Sequence, residues 1–162
     1  MPAPSPPARF PERSAGIRNR GCGTLTAPDE EILMASKTAA TPKWLREPEP
    51  NDFAAADHFL QLVLHKRHVA LAAKRLRKRR RKSVSFAAKD ILRAAELACL
   101  PADNEGVAAK LAKIREDKAL APVQLVRLKR GPLIVADGYH RVSASHLVDE
   151  STLVPCVLVS VP

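Results

Sequence analysis

The sequence predicts an α+β domain built on a small mixed sheet, preceded by a packed helix and a disordered N-terminal arm. Three observations predict it. Residues 123–128, 133–136 and 153–161 are short apolar runs rich in valine, leucine and isoleucine, the pattern of buried strands. Ala- and Leu-rich stretches with apolar residues three and four apart lie before and between them, the pattern of helices packed on a sheet. The first fifty residues hold nine of the fourteen prolines and three of the six glycines, and they lack a sustained apolar period. The 162-residue chain is 46% hydrophobic but only 4% aromatic, so its core must be assembled from Ala, Val, Leu and Ile.

Residues 1–50 cannot bury enough apolar surface to offset their chain entropy and are expected to be disordered. Met34 followed by Ala-Ser-Lys resembles an ordinary protein start, so residues 1–33 are a candidate extension outside the native chain. Trp44 is expected to anchor the end of the arm onto the domain. A helix is expected from Asn51 or Asp52, either of which can cap it, with Phe53, Ala56, Leu60, Val63, Leu64 and Leu71 on one face. It runs into Lys74, Arg75, Arg77, Lys78, Arg79, Arg80, Arg81 and Lys82. Eight cations in nine positions repel one another and are expected to fray the helix end into a solvated loop. Residues 51–83 are thus a helix ending in a basic run, and residues 84–162 the main domain.

Within that domain residues 86–100 lean helical, with a start that reads equally as a short strand, and Pro101 is expected to end the helix. Asp103 or Asn104 caps the next helix, whose inner face is Val107, Leu111 and Ile114. Residues 118–121 form a loop and Pro122 opens a strand. Lys129-Arg130-Gly131-Pro132 is turn chemistry. A strand at 133–136 leads to a helix over 139–148 and a last strand at 153–161, in which Pro155 confines the early portion to an edge or entry position. Strand, helix and strand with so long a connection predict a parallel crossover unit.

The net charge of +10 points toward anionic partners or simple solubility. Cys22, Cys99 and Cys156 are far apart with no CxxC spacing, which predicts a reduced, cytoplasmic protein without a metal knuckle. Cys99 and Cys156 read as small core residues. No apolar run approaches the length of a membrane span and the N-terminus lacks a secretory apolar region, so no membrane partner is expected.

The most informative stretch is Leu133-Ile134-Val135-Ala136-Asp137-Gly138-Tyr139-His140-Arg141-Val142. Apolar residues read as a strand, Asp-Gly turns the chain, and a helix opens on Tyr-His-Arg. A helix N-terminus presents unpaired N–H groups and partial positive charge, and glycine lets an anion approach the backbone. The pattern suggests a phosphate- or nucleotide-binding corner at Gly138, Tyr139, His140 and Arg141.

These residues resemble the ParB/sulfiredoxin superfamily over roughly residues 84–161. The order is Lys-Asp-Ile-Leu (residues 89–92), Leu-Ala-Pro-Val-Gln-Leu-Val (120–126), Leu-Ile-Val-Ala-Asp-Gly-Tyr-His-Arg-Val-Ser-Ala (133–144) and a closing valine strand. ParB partition proteins carry Gly-Glu-Arg-Arg at the helix start, sulfiredoxins Gly-Cys-His-Arg, and free-serine kinases Asp-Gly-His-His-Arg. The resemblance implies that Gly138, His140 and Arg141 contact nucleotide phosphate and that Asp137 matches the kinase-like acid. The Asp-Gly form lies nearer the kinase-like branch than true sulfiredoxin. Tyr139 stands where sulfiredoxin has its catalytic cysteine, and a phenol cannot replace the attacking thiolate.

Each of these residues has two readings. Arg141 forks onto a phosphate or is a surface arginine in the first helical turn. His140 donates to phosphate or shuttles a proton, or makes a structural hydrogen bond. Asp137 acts as a base or holds Mg²⁺ between phosphates, or caps the helix. Tyr139 packs over a base or fills the groove wall. Asp103, Asn104 and Glu105 suit helix capping or the upstream acid of kinase-like relatives. Lys113, Arg115 and Lys118 suit an anion site or a solvated helix face. His65 and His68 share a helix face but have no further metal ligands nearby.

The leading expectation is therefore a nucleotide-binding protein taking a nucleoside di- or triphosphate with Mg²⁺. If it turns over, it is a nucleotide hydrolase or small-molecule kinase in which Asp137 and His140 do the chemistry. The alternative is a non-enzymatic DNA- or RNA-binding protein that uses the 74–82 run, which lacks the interleaved aromatics of a base-stacking surface. A ParB-like nuclease is a third reading, although no cluster of acids builds a two-metal site.

Overall fold

A computed structural model describes residues 41–162. The expectations for an arm before residue 41 and for a start at Met34 lie outside the described residues. Residues 41–49 run outside helix and strand with a bend at Arg46 and Glu47, and Trp44 forms a parallel bridge to Leu120, with Leu45 N–H donating to the Leu120 carbonyl at 2.8 Å. The indole packs against apolar side chains of the domain, as the sequence suggests.

Helix α1 (Pro50–Val63) begins with proline at its first position, where no N–H is needed. Asp52 accepts from the Glu49 N–H at 2.9 Å. The expected single helix is in fact two, because Leu64 and His65 are extended and α2 (Lys66–Arg79) starts afresh. The apolar phase explains the break. At 3.6 residues per turn, Val69, Ala72 and Leu76 lie about 170° around the axis from Ala56 and Leu60. An unbroken helix would bury one set and expose the other; the break lets both reach one core. The basic run does not fray at its start but remains helical through Arg79.

Strand β1 (Val84–Ala87) leads directly into α3 (Ala88–Ala94). This helix ends well before Pro101. Glu96 adopts a left-handed φ of 55°, and the Leu97 N–H closes back on the Leu92 carbonyl at 3.0 Å, a Schellman-type stop. In α4 (Glu105–Arg115) the Asn104 side chain accepts from the Val107 N–H at 3.2 Å, while Val107 and Ile114 are buried. Then come β2 (Val123–Arg127), β3 (Ile134–Asp137), α5 (Tyr139–Val148) and β4 (Leu153–Ser160).

The four strands form one mixed sheet in the order β1-β4-β2-β3. This corrects the expected crossover. The two strands flanking α5 are not a parallel neighbouring pair, because β2 lies between them. The parallel partners are β2 and β4, and β3 folds back antiparallel on β2. The turn at 129–132 makes a hairpin, and a hairpin fixes β3 antiparallel before α5 begins. Pro155 sits where β4 is paired to β1 through Ser85, one residue before pairing with β2 begins at Cys156. On the β2 side the early portion of β4 is thus an edge, as expected for a strand carrying proline there.

Alternation along the strands divides the core in two. Val126, Ala136, Val157 and Val159 face α1 and α2, whereas Val123, Leu125, Val135, Val154 and Cys156 face α3 and α5. Burial pushes the Cys156 thiol up to about 12, in keeping with a packing role. A third cluster, Val107, Ile114, Leu120 and Ala144, joins α4 to α5. Among the described residues no helix is long and apolar enough to cross a membrane.

Candidate functional site

The structure brings Asp137, Gly138, His140 and Arg141 to one corner at the end of β3. Gly138 is the N-cap of α5 and has a φ of 102°, a conformation that L side chains rarely adopt. The space is closed as well, since a Cβ there would lie 2.9 Å from Val123 Cγ2. No side chain caps α5, and the first backbone bond into the helix runs from the Val142 N–H to the Gly138 carbonyl at 3.0 Å. The N–H groups of the first turn therefore remain without helical partners.

A polar cleft of about 200 Å³ opens at this turn. Its walls carry Lys110 and Lys113 from α4, Glu49 and Asp52 from the start of α1, the 119–121 backbone and the corner itself. Lys113 was one of the cations weighed from sequence; Lys110 was not. His140 is exposed at the rim. Its ring lies over Gly106, where an added Cβ would come within 2.6 Å of the imidazole Cδ2. A glycine in the first turn of α4 thus lets the ring lie against that helix.

Arg141 is not the surface arginine of one sequence reading, although it lines the cleft. It is 6% exposed. One terminal nitrogen donates to Asp52 Oδ1 at 3.2 Å and to Asp137 Oδ2. The other donates to the Ala121 carbonyl at 3.0 Å, the Pro122 carbonyl at 3.4 Å and Asp52 Oδ2 at 3.4 Å. The guanidinium is thus engaged by the protein's own acceptors and fixes two carboxylates at the cleft. Asp52, expected only as a cap, does two jobs, holding the Glu49 N–H and Arg141 together. The sequence offered no signal for the second, because the pair is 89 residues apart.

One cation between two carboxylates leaves an unbalanced negative charge. Burial raises the Asp137 pKa above its ordinary value and the neighbouring Asp52 raises it further, outweighing the opposing pull of Arg141. Asp137 is therefore a carboxylate disposed to hold a proton at higher pH than a free aspartate. Asp137 does not cap α5.

Tyr139 donates its hydroxyl to the Ala98 carbonyl at 2.6 Å and its ring packs with the α3 side of the core, which is the wall-filling role. Asp103, Glu105, Arg115 and Lys118 do not line the cleft, and Asn104 caps α4. Among the described residues no group of three or more His, Cys, Asp or Glu could hold a metal ion.

The basic run lies elsewhere, on α2 and the turn after it. Lys78, Arg79, Arg75 and Lys82 line a groove beside the end of β4, whereas Arg77 pairs with Asp57 and Arg80 and Arg81 both reach Glu47. Lys74 is exposed on the same helix.

Comparison of the chain with protein-family models, with curated proteins and with solved structures finds no match.

Proposed function

We propose that the corner at Gly138 binds the phosphate groups of a nucleotide, in the manner suggested by its resemblance to the ParB/sulfiredoxin superfamily. One observation carries the reading: an uncapped helix N-terminus on a left-handed glycine opens into a polar cleft flanked by Lys110 and Lys113. Backbone N–H groups, the helix dipole and the ammonium groups of Lys110 and Lys113 are the anion-binding elements, set against the carboxylates of Glu49, Asp52 and Asp137 on the same walls. Arg141 serves by holding Asp52 and Asp137 in place. A cleft of about 200 Å³ is smaller than the ~300–1,000 Å³ typical of whole-ligand pockets, so the phosphates enter while base and sugar rest outside.

Asp137 and His140 are the groups disposed to handle a proton. A carboxyl with a raised pKa is a better base near neutrality than an ordinary aspartate. In phosphoryl transfer it would take the proton from an attacking hydroxyl or water as the new P–O bond forms and the bond to the departing nucleotide breaks. Mg²⁺ arriving with the nucleotide would supply charge neutralisation; were Asp137 its protein ligand instead of the base, proton transfer would fall to His140.

Isothermal titration with ATP, ADP and CTP, each with and without Mg²⁺, tests the proposal. Binding of at least one is expected. Lys110→Ala with Lys113→Ala should weaken it about tenfold or more, given ~1.5–3 kcal/mol for a hydrogen bond to a charged group. Absence of binding by all three nucleotides would overturn the reading.

A further inference from the structure

The charge run on α2 is not a uniform patch. Between Asp57 and Asp90 the chain has no acidic residue, so any neutralisation of the run must come from other elements. Tertiary structure supplies it on one side only. Arg77 pairs with Asp57 of α1, and Arg80 and Arg81 share Glu47 ahead of α1. Arg75, Lys78, Arg79 and Lys82 have no carboxylate partner among the described residues. Arg75, Lys78 and Arg79 are three and four apart and share one side of α2, and Lys82 joins them from the turn after it. They line one groove of about 480 Å³ with Val159 and Ser160 at the end of β4. Arg75 donates to the Ser160 carbonyl and Arg79 to the Leu158 carbonyl at 3.5 Å, which fixes both guanidinium groups against the sheet without cancelling their charge. Ser160 is paired with Arg127, and the β2–β3 turn that follows adds Lys129 and Arg130 at the same end of the sheet.

We infer that this face of α2 is a docking surface for the phosphate backbone of a nucleic-acid duplex, separate from the corner at Gly138. A row of cations, two anchored on backbone carbonyls and none paired with an acid among the described residues, suits a polyanion whose charges repeat along a line. A membrane surface is the poorer fit. An interfacial helix must offer an apolar face to lipid, and on α2 that face, Val69, Ala72, Ala73 and Leu76, is buried in the core. The groove lining contains no aromatic side chain, so stacking on single-stranded bases does not contribute. Contact through phosphates alone carries no base information, and the binding is sequence-independent.

The test is fluorescence anisotropy of a short mixed-sequence DNA duplex with the full chain, across a range of salt. Four phosphate contacts predict a slope of log K against log salt of about −3 to −4. Lys78→Glu with Lys82→Glu should weaken binding more than about tenfold and flatten the slope by about two. Neither lysine side chain makes a hydrogen bond or ion pair among the described residues, so this variant should fold, as circular dichroism will show. Arg80→Gln with Arg81→Gln, on the neutralised side, should change affinity less than about threefold. ATP at saturating concentration should not compete, which separates this surface from the nucleotide corner. The inference is overturned by a salt-independent affinity, by equal losses in the two double variants, by displacement with ATP, or by binding to anionic vesicles in preference to the duplex.

Discussion

At the scale of single residues, Arg141 and Asp137 decide how the corner works. If Arg141 were a surface group kept for a ligand, its removal would leave stability within about 0.5 kcal/mol. It is instead buried between Asp52 and Asp137, with two carbonyls as further acceptors. Arg141→Ala strands two carboxylates, and the expected cost is about 3–5 kcal/mol in urea unfolding. Asp137 has the opposite sign from a usual ion-paired aspartate. Its folded pKa is raised above the unfolded value, chiefly by burial. Its unfavourable contribution is therefore absent below the ordinary carboxylate range and sets in as pH rises through the raised folded pKa. Asp137→Asn removes that titration. The variant should gain stability relative to the native chain as pH rises from the acid range toward neutrality, by urea midpoints at successive pH values. A difference that shrinks with rising pH would contradict the assignment. The sequence made the Asp-Gly turn and its glycine legible, because a sharp strand-to-helix bend needs positive φ. It could not show that Arg141 turns inward, since apart from Asp137 its partners come from segments 89 and about 20 residues away.

At the scale of elements, local signals did well where a residue type has one physical meaning. Asn104 caps α4, α5 runs over the residues predicted for it, and Pro155 lies in the early portion of β4 that pairs only with β1. They failed where the outcome depends on what lies alongside. The join between α1 and α2 carries no glycine or proline, and its only trace is the shift in apolar phase. Leu71 matched the phase of α1 and so lengthened the apparent helix. Strand β2 holds a second conflict. Gln124 is fully buried, and neither amide atom has a hydrogen-bond partner among the described residues. It lies beside Val157 and opposite Asp137 in the sheet. Desolvating an amide without compensation costs about 1–3 kcal/mol. Gln124→Met, which keeps shape and removes the polar atoms, should raise stability by about 1–2 kcal/mol in chemical denaturation. A loss of stability would mean that the amide has a partner.

At the scale of the whole molecule, the mixed sheet separates two surfaces. The end of β3, α4 and the starts of α5 and α1 build the corner where helix N-terminus and lysines converge; α2 and the groove beside the end of β4 carry the unneutralised cations. The net charge of +10 does not distinguish these surfaces, and the pairing of Arg77, Arg80 and Arg81 with acids near α1 does. By itself the sequence determined the α+β class, the strand–turn–helix at residues 133–142 and the basic run. Apolar period, glycine and charge density act over a few residues and can be read in order along the chain. Only the tertiary structure decided that β2 and β4 are the parallel pair, that Arg141 is spent on two aspartates, and which cations keep their charge. Those outcomes depend on which distant groups meet, and burial and Coulomb attraction act through space without regard to separation along the chain.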